Sequence, residues 1–217
     1  MEPNQYKHAY ATINPVKNVK KYKEAGPRQR ILCGTELTRF MQCLEESEQN
    51  TAVLAIRLSL QTGLRSKSEL FSLPWSCVDF ENGTVKLMHT KNGRVRTIAI
   101  NTVALSLLKE MHSKADPLCP WVFPARVGTG HLVDIRKPLN KILAKAGITG
   151  VTPHDLRRSF GSLLCNAGVD IYQIKDLLGH SNVTVTQRAY AHLQQSTLRT
   201  SCEVVARTLE EALGKAA

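Results

Sequence analysis

Two arginines, two histidines, a lysine and a tyrosine stand in four polar segments that a plain apolar core has little reason to hold. In TGLRSKSEL, Arg65 follows Gly63 and Leu64 directly after an apolar run, where the chain must turn. In HTKNGRVRTIAI, Lys91 precedes an Asn-Gly turn and is flanked by Arg94 and Arg96. In VTPHDLRRSF, Thr152, Pro153 and Asp155 form a strong helix start, which puts His154 in the first turn and Arg157 one turn on along the same face. In IKDLLGHSNVTVTQRAY, His180 stands behind Gly179 at a helix end, and Tyr190 follows ten residues later. Each residue also has an ordinary structural reading. Arg65 can snorkel at a helix end, Lys91 can guard a hairpin edge, His154 and Arg157 can be incidental to a capped helix, and Tyr190 can be a half-buried ring.

Taken together, the set suits metal-free attack on a phosphodiester. Cations must hold the non-bridging oxygens as charge builds on phosphorus. Arginine does this best, because its planar fork matches phosphate oxygens bidentately and keeps its charge. Tyr190 can supply the hydroxyl for a covalent intermediate, and a histidine titrating near neutrality can take its proton. A lysine on a hairpin tip can swing into a groove and protonate the leaving oxygen. Other catalytic sets are missing: no Gly-x-Ser-x-Gly, no phosphate-cradling Gly-Lys-Ser/Thr loop, no His-Glu-x-x-His and no acidic cluster suited to two metals. The six cysteines are scattered without a Cys-x-x-Cys pair and read as reduced thiols of an intracellular protein. Neither a metal nor a cofactor is expected.

The elements that must position these residues follow from periodicity. Thr35 and Glu36 open a helix with Leu37, Phe40, Met41 and Leu44 at helical spacing, and 50–64 is a strongly apolar helix ending at Gly63. SELFSLPW reads as a short helix stopped by Pro74. Between 77 and 100, alternating stretches separated by Asn82-Gly83 and Asn92-Gly93 predict about three antiparallel strands. Helices are expected at 102–114, 134–147, 153–167, 170–178, 183–191 and 202–214. The fold class is therefore mainly α with a small three-stranded antiparallel sheet, an α+β arrangement.

A formal net charge of +11 and a pI near 9.6 favour a polyanionic partner, of which nucleic acid is the commonest. Residues 1–30 lack sustained periodicity and carry Lys17, Lys20, Lys21, Lys23, Arg28 and Arg30, which fit either a solvated tail or a basic arm along phosphates. With Arg94, Arg96 and Arg158 they are the candidate DNA-binding residues. No apolar run approaches the roughly 20 residues a membrane span needs, so no membrane is expected.

Five motifs in order, TGLR with a following EL, TKNG in a hairpin, HDLR, LLGH and TQRAYAHL, resemble the catalytic domain of the tyrosine recombinases, the phage-integrase family. The resemblance covers about residues 31–200 and implies that fold, with residues 1–30 as a basic linker and tail of a DNA-clamping domain. Residues 201–217 would then be a C-terminal helix packed on its own domain or exchanged between protomers. It implies Tyr190 as nucleophile and Arg65 and Arg157 as the paired phosphate-holding arginines. Lys91 would be the general acid, with His154 and His180 in proton transfer and phosphate contact. It further implies a site-specific recombinase working through a 3′-phosphotyrosine without metal or ATP, on double-stranded DNA, in a bacterial cytoplasm at the nucleoid. The assembly would be a tetramer on DNA, with a monomer as the alternative for a chain lacking the clamp. A DNA-relaxing topoisomerase of the same chemistry and a non-catalytic DNA-binding module are the competing readings. Two spacings depart from the family: Arg65 to Glu69 is four steps rather than three, and His180 to Tyr190 is ten rather than nine.

Overall fold

A computed structural model describes residues 29–88 and 95–190, together with 19, 203–205, 207–209 and 211. The chain begins with α1 (Gly34–Glu45) and α2 (Thr51–Thr62). The Asn50 side chain accepts from the amides of Ala52 and Val53, satisfying two of the donors that a helix start leaves open. Val53, Ala55, Ile56, Leu58, Ser59, Leu60 and Thr62 are buried, so α2 runs through the core rather than over it. It ends at Gly63, whose φ of 62° lies in the left-handed region. A Cβ there would also stand 2.3 Å from the Phe160 ring.

The chain then makes a π-helical turn over Ser66–Leu70 and a 3₁₀ turn over Trp75–Cys77. The sheet follows: β1 (Val78–Asp79), β2 (Thr84–Leu87) and β3 (Arg96–Ala99), antiparallel in that order, with Val85 opposite Ile98 and Leu87 opposite Arg96. The second hairpin tip, with Asn92-Gly93, lies outside the described residues. Five further helices follow: α3 (Thr102–Ser113), α4 (Arg136–Lys145), α5 (Pro153–Asn166), α6 (Ile171–Leu178) and α7 (Val183–Tyr190), of which α5, α6 and α7 contribute to the site. Among helix pairs, α2 on α5 is the most extensive. One large apolar cluster fills the space between α1–α5 and the sheet; a smaller one holds Cys165, Ile174, Leu178 and Tyr190 between α5, α6 and α7.

The mainly helical class with a three-stranded antiparallel sheet is as the sequence predicts. One element differs. SELFSLPW holds the end of a π turn (Ser66–Leu70) rather than an ordinary short helix, with a 3₁₀ turn beginning only after Pro74, and the π turn keeps the Arg65 amide on the Glu69 carboxylate. Between α3 and α4, pairing is limited to the isolated bridges Pro74–Trp121 and Pro124–His131. Residues 203–205, 207–209 and 211 are helical, within the expected C-terminal helix, with Val204, Val205 and Leu209 exposed. No helix among the described residues is long and apolar enough to cross a membrane.

Candidate active site

The site is built around one carboxylate and the end of one helix. In the π turn the amides of Leu70 and Phe71 reach back five residues, to the carbonyls of Arg65 and Ser66. This wider turn spans the four-residue step from Arg65 and leaves Glu69 beneath Arg65. Glu69 is wholly buried; Oε2 accepts from the Arg65 amide at 2.9 Å and Oε1 from Arg65 Nη1 at 2.5 Å. Arg96, from β3, donates Nη2 to the same carboxylate at 3.1 Å, and Arg157 Nη1 lies 3.8 Å away. Three guanidinium groups around one carboxylate leave two formal positive charges unbalanced.

The same three arginines hold the last carbonyls of α6. Arg96 Nη1 donates to Asp176 and Leu177, Arg157 Nη2 to Leu178, and Arg65 Nη2 to Gly179 at 3.0 Å. A helix C-terminus leaves such carbonyls open and carries negative dipole character, so guanidinium groups suit it twice over. Arg157 Nη1 also donates to Gly63 O at 2.7 Å, tying α5 to the end of α2. Gly179 is required here for two reasons. Its φ is 63°, and a Cβ would stand 2.2 Å from Arg96 Cζ. His180 leaves this clasp directly, which fixes its backbone against the arginines.

His154 is carried by the N-terminus of α5. Thr152 and Asp155 form a reciprocal capping box with Pro153 in the first turn, as the sequence predicts. Burial lowers the His154 pKa, and Arg157 and Arg158 lower it further. Burial, then Arg157 and Arg65, push His180 down to about 4. Both imidazoles are therefore neutral near pH 7. Arg157 is itself pushed down to about 10, by burial first and then by Arg65, and so keeps its charge. His180 Nδ1 lies 2.8 Å from the hydroxyl of Thr186, a wholly buried residue of α7.

Tyr190 is 3% exposed and packs in the small cluster against α5. A Cβ on Gly161 would stand 2.1 Å from its hydroxyl oxygen, so the phenol rests on bare helix backbone. Gly161 is one turn beyond Arg157, a displacement of about 6 Å along α5. Burial raises the phenol pKa, against the opposing charges of Arg157 and Arg158. Tyr190 thus lies next to the arginine site but not among its N–H groups.

Of the sequence-derived candidates, the fold brings together Arg65, His154, Arg157 and His180, with Tyr190 adjoining. Lys91, Arg94, Lys17, Lys20, Lys21, Lys23 and Arg28 lie outside the described residues. Two of the candidate DNA-binding residues have partners within the fold. Arg96 is not on an open surface but inside the site on Glu69. Arg30 is committed to Glu36 at 2.6 Å and to the carbonyl of Thr149. Arg158 faces Asp155 at 3.9 Å. The sequence reading missed Glu69, Arg96 and Thr186 as members of the site. Strand alternation carried a signal for Arg96, since Ile98 two residues on is buried and the two share a face.

Residues 30–197 match the family described as Phage integrase family. Tyrosine recombinase XerC of Xylella fastidiosa (strain 9a5c) is 32% identical over 193 residues, covering 86% of this chain and 64% of that protein. The crystal structure of XerA recombinase superposes with a TM-score of 0.65 at 27% identity, covering 82% of this chain and 65% of that one. The catalytic domain of bacteriophage HP1 integrase shares the fold, with a TM-score of 0.58 at 24% identity over 81% of this chain and 95% of its own. The chain therefore spans less than two thirds of the length of the curated relative it matches. With the family's motifs in order on the family's fold, this chain belongs to the phage integrase family of tyrosine recombinases.

Proposed function

We propose that the chain is the catalytic domain of a site-specific DNA recombinase that cuts and rejoins double-stranded DNA through a 3′-phosphotyrosine. The observation that carries this reading is the clasp of Arg65, Arg96 and Arg157 on buried Glu69, with two neutral imidazoles beside it and a phenol one helical turn away. Two unbalanced positive charges suit a phosphodiester whose transition state gains a second negative charge. Tyr190 Oη forms the bond to phosphorus while the bond from phosphorus to the 5′ oxygen breaks. The phenolic proton passes to a histidine, and Lys91 protonates the departing oxygen. Attack by the free 5′ hydroxyl of another strand reverses the step, so the phosphotyrosine conserves the bond energy and neither metal nor ATP is needed. Arg65 and Arg157 hold the non-bridging oxygens, and His154 and His180 share proton acceptance and phosphate contact.

The partner is double-stranded DNA, and a homotetramer on DNA is the proposed assembly. The exposed Val204, Val205 and Leu209 of the C-terminal helix supply an apolar face for a neighbouring protomer. The setting is the cytoplasm, at the nucleoid. A duplex nicked beside the cleavage site, which traps the intermediate by letting the short end diffuse away, tests the reading. The wild-type chain forms a denaturation-resistant adduct and Tyr190→Phe does not. An adduct that survives Tyr190→Phe defeats the assignment.

A further inference from the structure

The contact between His180 Nδ1 and Thr186 has no part in the proposed chemistry, although it ties a histidine of the site to the tyrosine helix. Thr186 lies on the tyrosine helix, one turn before Tyr190 and on the same buried face. It is wholly buried, and its hydroxyl has a single hydrogen-bond partner among the described residues, His180 Nδ1 at 2.8 Å. A neutral imidazole can meet a hydroxyl in two ways. If Nδ1 carried the proton, the threonine oxygen would accept and its own hydrogen would be buried without an acceptor. If Thr186 donates, its hydrogen is satisfied and Nδ1 accepts. A buried donor left unpaired is the more costly of the two.

We infer that Thr186 is a positioning residue that holds His180 in the Nε2–H tautomer, so that His180 presents a hydrogen-bond donor, not a base, to the phosphate held by the arginines. The proton of Tyr190 then falls to His154. A second consequence follows from the position of Thr186 on α7. The donor that His180 offers to phosphate is set only while the tyrosine helix is docked, so phosphate contact and nucleophile placement are linked through one hydroxyl.

The inference rests on the proposed phosphate site, and the test separates the two. Long-range ¹H–¹⁵N correlation on the full chain at pH 7 reads the His180 tautomer directly, without DNA. The groups facing His180 are Arg65, Arg157, Arg96 and His154, with Glu69 beneath the arginines, and the neutral form is the one observed at that pH. The wild type and Thr186→Ser show the Nε2–H pattern; Thr186→Val shows a mixture or the Nδ1–H form. Titration with inorganic phosphate then shifts the Nε2–H resonance in wild type and Thr186→Ser. Thr186→Val needs about tenfold more phosphate for half-saturation, as expected for one hydrogen bond to an anion. An Nδ1–H pattern in the wild type, or a Thr186→Val chain with unchanged tautomer, overturns the inference and leaves the phosphate site standing. The Nε2–H pattern with no response to phosphate in any variant sinks the phosphate site itself, while the tautomer assignment survives.

Discussion

Glu69→Gln removes one charge and almost no volume, and it strikes the centre of the site. The wild-type carboxylate accepts four donors within hydrogen-bond or ion-pair range: the Arg65 amide, Arg65 Nη1, Arg96 Nη2 and, more loosely, Arg157. A carboxamide can accept at one oxygen only, and its NH₂ group would face the guanidinium donors of Arg65 or Arg96. Three buried or half-buried cations would then share no counter-ion. Removing one partner of a buried ion group costs about 3–5 kcal/mol. A domain of this size loses about 2–4 °C per kcal/mol, so Tm should fall by about 10 °C. The assay is thermal unfolding by circular dichroism, with and without sulfate. Because the variant pocket gains a positive charge, sulfate should stabilise Glu69→Gln more than wild type. At about ten times its Kd it would restore on the order of 1.4 kcal/mol. A variant that melts within about 2 °C of wild type, with no added response to sulfate, would refute the idea that Glu69 holds the arginines together.

Three further outcomes follow from the same geometry. Gly161→Ala puts a methyl group where the Tyr190 hydroxyl rests, although alanine is the better helix former by about 1 kcal/mol; the ring should be expelled. Nitration followed by peptide mapping should then modify Tyr190 about as fast as Tyr172, which is 60% exposed, and continued protection of Tyr190 would count against the packing described. Arg96→Lys should fail to replace Arg96, because a single ammonium cannot serve Glu69 and two carbonyls of α6 in one plane; Tm and phosphate binding should fall nearly as far as in Arg96→Met, and full rescue by lysine would contradict the clasp. His180 titrates at about 4 in the fold and near its ordinary value of about 6.5 when unfolded. Between those values the unfolded chain binds more protons, so stability is present above about pH 6.5 and is lost as pH falls toward 4. Urea unfolding of wild type at pH 7 and pH 5 should show this loss, and His180→Gln should lessen it.

Much of the framework was legible from local chemistry. The Thr152–Asp155 capping box, the Asn50 and Gly63 ends of α2 and the first Asn-Gly turn of the sheet all depend on residues within a few positions of one another. What escaped the sequence depends on distance in the chain. Arg96 reads as one more cation near a hairpin tip until α6, 80 residues on, is folded against it. The π turn is written in the spacing of Arg65 and Glu69, but the spacing alone does not say whether the helix widens or the acid moves. Thr186 has no distinguishing mark in a Thr-rich segment; only the turn after Gly179 brings His180 back to it. The ten-residue step from His180 to Tyr190 became physical in the same way. The α7 helix starts at Val183 and sends Thr186 to His180 and Tyr190 over Gly161, and a glycine in mid-helix was the trace of that contact in the sequence.

The central claim is that this arginine clasp serves a tyrosine that becomes covalently bound to the 3′ end of DNA. Its most direct measurement is mass spectrometry of the peptide recovered from adduct trapped on nicked duplexes of randomised sequence, formed in the presence of EDTA. The expected product is a nucleotide joined through its 3′ phosphate to Tyr190, with a free 5′ hydroxyl on the released strand. A 5′ linkage, a different residue, or an adduct that forms only when divalent metal is present would contradict it.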